Sequence, residues 1–191
     1  MTPDGPSTDT GYMLRPSIIA THTFADAPAL DILLVPGGMG VDVLAQANNT
    51  SVEDFIRRRY DQGLDYLLSV CTGAILLARS GVLEGRRATS NKGAWAGVTR
   101  TGKNVTWVPT ARWVVDGNVW TSSGVSAGMD MAYAFLSHIY GKDDEALIKV
   151  MNAIEYAPHA DPSWDAFSVV HKVPGADPKA NVADCVKPVG F

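Results

Sequence analysis

The stretch "LLSVCTGAILLARSGVLEG", residues 67–85, sets a cysteine where an apolar run gives way to a glycine-punctuated one. A sulfur at a strand-to-helix break gains from position alone. The first N–H groups of such a helix, those of Thr72 and Gly73, lack partners inside it, and with the helix dipole they favour negative charge on Cys71. Gly73 also removes the side chain that would crowd a tight turn. The same elbow serves hydrolases, where the amide after the nucleophile stabilises an oxyanion. Further donors stand in Gly37 and Gly38, which end another apolar run and let backbone approach a ligand closely. The competing view makes Cys71 a small buried hydrophobe, as most free cysteines are. Its place at the break favours the nucleophile.

Other chemistries fit less well. No Cys, His, Asp or Glu cluster has ligand spacing, so no metal is expected. "PGGMG", residues 36–40, lacks the Lys-Ser/Thr of a phosphate loop and the three-glycine dinucleotide fingerprint, so no nucleotide or other cofactor is expected. A formal charge of -4 gives no electrostatic footprint for a nucleic-acid or anionic-membrane partner. Arg57, Arg58 and Arg59 read as the solvated face of a helix. His22, His138, His159 and His171 take surface or packing roles, and Lys92 reads as a surface lysine that beside the sulfur would favour the thiolate. Asp130 is expected to bridge to Arg86 or Arg87.

The elements that must position these groups follow from periodicity. A length of 191 residues with 46% hydrophobic content suits one domain over residues 1–191, with a polar leading segment, 1–17, and a C-terminal tail, 162–191. Cys71 and Cys185 lie far apart in different contexts, which points to a reducing compartment, the cytoplasm. No secretory leader and no membrane-length apolar run is read. Residues 32–35 and 66–70 are predicted as buried strands, and a helix capped by Ser51 lies between them. The helix from Thr72 to near Gly81 is apolar on nearly every side and should be buried. Residues 112–115 and 118–122 flank Asp116-Gly117, a hairpin signal. A helix follows residues 121–124, and a last one begins near Asp143, facing inward with Leu147, Val150, Met151 and Ile154. Strands alternating with helices predict a mostly parallel sheet covered on both faces, with ligands at the carboxyl ends of its strands. Gly37, Gly38, Cys71, Ser122 and Ser123 all fall at such ends.

Three ordered segments, "LDILLVPGGMG", "LLSVCTGAILLARSGVLEGRRATSNK" and "WTSSGVSAGMDMAYAFL", resemble the ThiJ/PfpI superfamily, relatives of the class I glutamine amidotransferases. Within it the nearest likeness is the isonitrile hydratase-like branch, and the match runs from about Ile18 to Tyr156. The resemblance implies a flavodoxin-like α/β three-layer sandwich, a homodimer, and Cys71 as nucleophile. The amides of Thr72 and Gly38 would be the oxyanion-type donors, within a binding set of Gly37, Gly38, Thr72, Gly73 and Ser123. The activity implied is addition of water to a small electrophile, an isocyanide, to give an N-substituted formamide. A glyoxalase-like enzyme acting on reactive dicarbonyls and a non-catalytic redox-sensing dimer are the alternatives.

Two departures from the family pattern carry expectations of their own. The family's histidine after the elbow helix is replaced by Asn91 or Lys92. The first strand and helix, which bring an Asp or Glu to the cysteine, are expected to be missing, so no proton donor is assigned. Loss of a central strand leaves backbone unpaired, at about 1–3 kcal/mol for each buried unsatisfied group. A substitute is expected from "AFSVVHKV", residues 166–173, or from a partner chain, with a shifted gene start or a shortened chain as the third explanation.

Overall fold

The computed structural model describes residues 19–180 and Val182; Cys185 and residues 1–17 lie outside the described residues. Two runs of leucine and branched side chains start the sheet. β1 (Ile32–Val35) and β2 (Tyr66–Val70) pair in parallel, with Leu33 beside Leu67 and Leu34 beside Leu68. On its other side β2 pairs in parallel with β6 (Val119–Ser122), which pairs antiparallel with β5 (Trp113–Asp116). The order is β1-β2-β6-β5. Gly117, with a φ of 60°, turns the hairpin between β5 and β6. A separate parallel pair joins β3 (Arg87–Ala88) to β4 (Thr106–Trp107).

Alternation along β2 divides the core in two. Leu67 packs with Val35, Ile75, Leu77 and Val119 on one face of the sheet. Leu68 packs with Trp113, Trp120, Met131 and Phe135 on the other. The first face is covered by α1 (Gly40–Gln46), α2 (Ser51–Asp61) and α3 (Gly73–Arg79), whose Gly73 to Ala78 are all buried. The second is covered by α5 (Val125–Tyr140), which closes on β2 through Gly128: a Cβ there would lie 2.6 Å from Val70 Cγ1. The mostly parallel, flavodoxin-like sandwich expected from the sequence is the fold of the chain. α4 (Trp95–Val98), α6 (Glu145–Ala153) and α7 (Phe167–Val170) complete it.

Three expectations are corrected. α6 is capped by Asp144, whose side chain accepts from the Leu147 N–H, but only Leu147 among its residues is buried. Val150 and Ile154 are exposed, because α6 packs on α5, a helix away from the sheet. Residues 166–173 form no strand: they contain α7 and the turn after it, so they do not substitute for a first strand. Thr50 rather than Ser51 holds the cap position of α2, its hydroxyl donating to Asp54. β1 is therefore an edge strand among the described residues, with Ile32 and Leu34 exposed on the face that α5 covers elsewhere.

Removing the Leu77 side chain, fully buried between α3 and the sheet, is expected to cost about 2–5 kcal/mol in urea denaturation. Val150→Ala, on the open face of α6, is expected to stay within about 0.5 kcal/mol of the parent. A large loss at Val150 would place α6 against a partner not yet identified.

Candidate functional site

β2 stops being a strand at Cys71. The φ of 59° at this residue lies in the left-handed region, which a residue with a Cβ occupies at a cost of about 1–3 kcal/mol. Hydrogen bonds to two other segments hold it there. The Cys71 N–H donates to the Ser123 carbonyl at 2.8 Å, at the end of β6. The Cys71 carbonyl accepts from the Ser90 hydroxyl at 2.8 Å, in the stretch after β3. The thiol is free and its residue half-buried rather than sealed.

Glycines let the end of β1 close onto this turn. A Cβ at Gly37 would stand 2.6 Å from the Thr72 nitrogen and 2.9 Å from the Cys71 Cβ; one at Gly73 would stand 2.4 Å from the Val35 carbonyl oxygen. Gly38, at φ 137°, donates its N–H to the Thr72 hydroxyl at 2.8 Å. That amide is thus engaged at the elbow's own side chain. The N–H groups of Thr72 and Gly73 have no acceptor among the described residues.

Beyond Ser123 opens a cavity of about 180 Å³. One wall is the stretch after β3, with Asn91, Lys92 and Gly93; another is the turn into α5, with Ser123, Gly124 and Ser126. Arg112 and the tail residues Asp165, Phe167 and His171 close it. Ser123 therefore links the two halves of the site. Its carbonyl holds the elbow, and the residue lines the cavity.

The charges around the cavity are buried, which the surface reading of Lys92 did not anticipate. Lys92 is 3% exposed; its ammonium donates to the Thr89 hydroxyl and the Ala111 carbonyl, each at 2.7 Å, and lies 4.9 Å from the Trp95 ring centre. Burial holds it down to about 8, partly opposed by the charge of Asp165. Asp130 pairs with Arg112, not with Arg86 or Arg87; Arg86 pairs instead with Asp116 at 3.1 Å. The fully buried Asp130 also accepts from the Tyr156 hydroxyl and from the His159 N–H. Burial, then the bond to Asp130, keeps the Tyr156 phenol above its ordinary range.

This network docks the tail. The Arg112 N–H donates to the Pro162 carbonyl at 2.8 Å, the Asp165 N–H to the Thr110 carbonyl at 2.6 Å, and the Asp165 carboxylate caps the Phe167 N–H at 3.1 Å. Asp165, Ala166, Ser168 and Val173 are buried, so this part of the tail packs into the molecule. It carries His171 to Gly93, where two ring atoms lie within 3.6 Å of the place a Gly93 Cβ would take and Asn91 Oδ1 lies at 3.2 Å. No spacing in the sequence connects His171 or Asp165 with Cys71. The fold brings both to the cavity that Ser123 also lines.

Comparison with known proteins identifies the family. The DJ-1/PfpI family profile matches residues 10–138. The isonitrile hydratase of Pseudomonas putida is 37% identical over 163 residues, 85% of this chain; the chain spans only 65% of that enzyme's length. A deglycase of Pyrococcus horikoshii is 35% identical over 119 residues, 62% of this chain and 66% of its own. A ThiJ/PfpI family protein of known structure from Pseudomonas syringae superposes with a TM-score of 0.62 at 29% identity, covering 80% of this chain and 60% of that one.

Two outcomes test the site's construction. Gly37→Ala drives a methyl into the elbow and should cost about 1–3 kcal/mol in denaturant unfolding, with a changed rate of Cys71 alkylation by iodoacetamide. An unaltered midpoint and rate would mean that the elbow does not need the close approach. Lys92 binds its proton less tightly folded, at about 8, than unfolded, at 10.5. Between those values the unfolded chain holds the extra proton, so this group makes stability rise with pH across the window. In Lys92→Met that part of the rise should vanish from unfolding curves taken at pH 8 and pH 10, by comparison with the parent.

Proposed function

Because the chain belongs to the DJ-1/PfpI family, we propose that it is a cysteine-dependent isonitrile hydratase-like lyase. The single observation that carries this reading is the left-handed, half-buried Cys71, whose N–H is held by the carbonyl of Ser123, a residue that also lines the cavity. The similarity to the Pseudomonas putida isonitrile hydratase supports the substrate class.

In this mechanism the Cys71 sulfur adds to the terminal carbon of R–N≡C, forming a C–S bond. The proton lost from the thiol ends on that carbon, giving a thioimidate. Water then adds to the same carbon as its proton passes to nitrogen, and the C–S bond breaks. The products are R–NH–CHO and the free thiol, so atoms balance with water as the only co-reactant. Thr72 and Gly73, whose N–H groups are free of acceptors among the described residues, are the assigned donors to charge developing on the adduct. Gly37 lets the end of β1 pack against Thr72 with no side chain between them, and Gly38 fixes the Thr72 hydroxyl. The reading includes a homodimer; what supports it is the apolar surface of Ile32 and Leu34 on β1 and of Val125, Met129 and Leu136 on α5.

A second reading, a glyoxalase-like reaction on a reactive dicarbonyl, is favoured by the similarity to a deglycase. It uses the same sulfur and the same amides. Formation of N-substituted formamide from a small alkyl isonitrile, followed by mass spectrometry, should fall by more than about 10³-fold in Cys71→Ser while the fold is kept. Loss of methylglyoxal without formamide production would favour the second reading. Turnover that survives Cys71→Ser would overturn both.

A further inference from the structure

The amino end of α5 has no side-chain cap. Gly124 stands at the cap position with extended backbone. The N–H groups of Val125, Ser126 and Ala127 have no acceptor among the described residues, and the next, that of Gly128, donates to the Gly124 carbonyl at 2.8 Å. The peptide dipoles of a helix add up to about half a positive charge at such an end. Alone, this would be an ordinary helix terminus. Two further donors single it out. Ser123 is 2% exposed and lines the cavity, yet its hydroxyl makes no hydrogen bond among the described residues. The adjacent Ser122 hydroxyl, by contrast, donates to the Ser69 carbonyl at 3.2 Å. A buried hydroxyl without a partner costs about 1–3 kcal/mol, which a ligand that accepts from it relieves. Asn91 brings the other donor. Its Oδ1 accepts from the Ala94 N–H at 3.0 Å, so Nδ2 is the atom that faces α5, 3.7 Å from where a Cβ on Gly124 would stand.

We infer that the cavity at the amino end of α5 is a binding site for a short-chain monocarboxylate, held by the Ser123 hydroxyl, Asn91 Nδ2 and the unpaired N–H groups of the helix. Backbone and amide N–H groups can only donate, and the hydroxyl can donate as well. Their common partner is a group made of acceptors, and a carboxylate, with two oxygens and about four lone-pair sites, answers several donors at once. The buried side-chain charges do not set the sign of the site. Arg112 is matched by Asp130, and Lys92 feels the opposite charge of Asp165. The Asp165 carboxylate is itself turned to the Phe167 N–H and lies 3.9 Å from Arg112. What remains is the field of α5, and it favours an anion. At the ~30 Å³ that a water takes up in the liquid, a cavity of about 180 Å³ suits a ligand of about six non-hydrogen atoms. Phe167 and Ala127 give the short alkyl part an apolar wall. Cys71, Thr72 and Gly73 do not line this cavity, so the site lies beside the cysteine chemistry and does not rest on it.

The test titrates the isotope-labelled full chain with sodium butyrate at fixed ionic strength and follows its amide resonances, with butyramide as the neutral molecule of the same shape. Butyrate should move the Val125, Ser126 and Ala127 amides saturably, and butyramide should bind at least about tenfold more weakly. Ser123→Ala removes one donor. Asn91→Asp keeps the acceptor for Ala94 but sets a second carboxylate against the ligand. Each should weaken butyrate about 10–100-fold, whereas Cys71→Ser should leave it within about twofold. No saturable shift at these amides up to about 50 mM butyrate would overturn the inference. So would butyramide binding as well as butyrate, affinity within about twofold of the parent in both cavity variants, or loss of binding in Cys71→Ser. Should either cavity variant lose the parent's unfolding midpoint, the other variant and the butyramide comparison decide.

Discussion

A residue with a side chain stays in the left-handed region only where its surroundings make each alternative worse. At Cys71 hydrogen bonds from two other segments and two glycines do this. The Ser123 carbonyl and the Ser90 hydroxyl fix the peptides on either side of the sulfur, while Gly37 and Gly73 let the end of β1 close over the turn. These four groups come from segments far apart in the chain. They meet only when β1, β2 and β6 lie side by side in parallel, with their carboxyl ends together. The strain at one residue is thus sustained by the whole sheet, and the site exists where the sheet's hydrogen bonding ends.

A second constraint concerns charge. Arg112, Asp130, Asp165 and Lys92 are each less than a tenth exposed, and buried ions persist when each finds partners. Here the partners join three parts of the molecule. Asp130 on α5 meets Arg112 before β5, while Tyr156 and the His159 backbone bring in the chain after α6. The tail is drawn over the end of the sheet by the same network, and the cavity is what remains beneath it. Packing, ion pairing and the shape of the site are one arrangement rather than three.

Much of this was legible in the residues. Short apolar runs and turn chemistry marked β1, β2 and the β5–β6 hairpin, and the apolar sweep of residues 73–78 marked α3 as buried. Cys71 stood out because it separates two periodicities. What escaped depends on contacts between distant segments. Val150 and Ile154 carry an inward-facing helical pattern, yet α6 reaches only α5 and leaves them exposed. "AFSVVHKV" alternates like a strand, but Asp165 caps Phe167 and turns it into a short helix. Lys92 looks like any surface lysine until Thr89, Ala111 and Trp95 are seen around its ammonium. Propensity is local, whereas the partners of a buried cation are not.

The central claim is that the fold presents the Cys71 sulfur, and no other group, to an incoming electrophile. It is tested most directly by rapid-quench peptide mapping of the intact protein mixed with a small isonitrile. A transient mass increase equal to the isonitrile on the peptide that contains Cys71, gone by the time formamide has accumulated, is the expected result. A bound mass on the peptide containing Cys185, or formamide accumulating with no adduct at Cys71 at any quench time, would contradict the account.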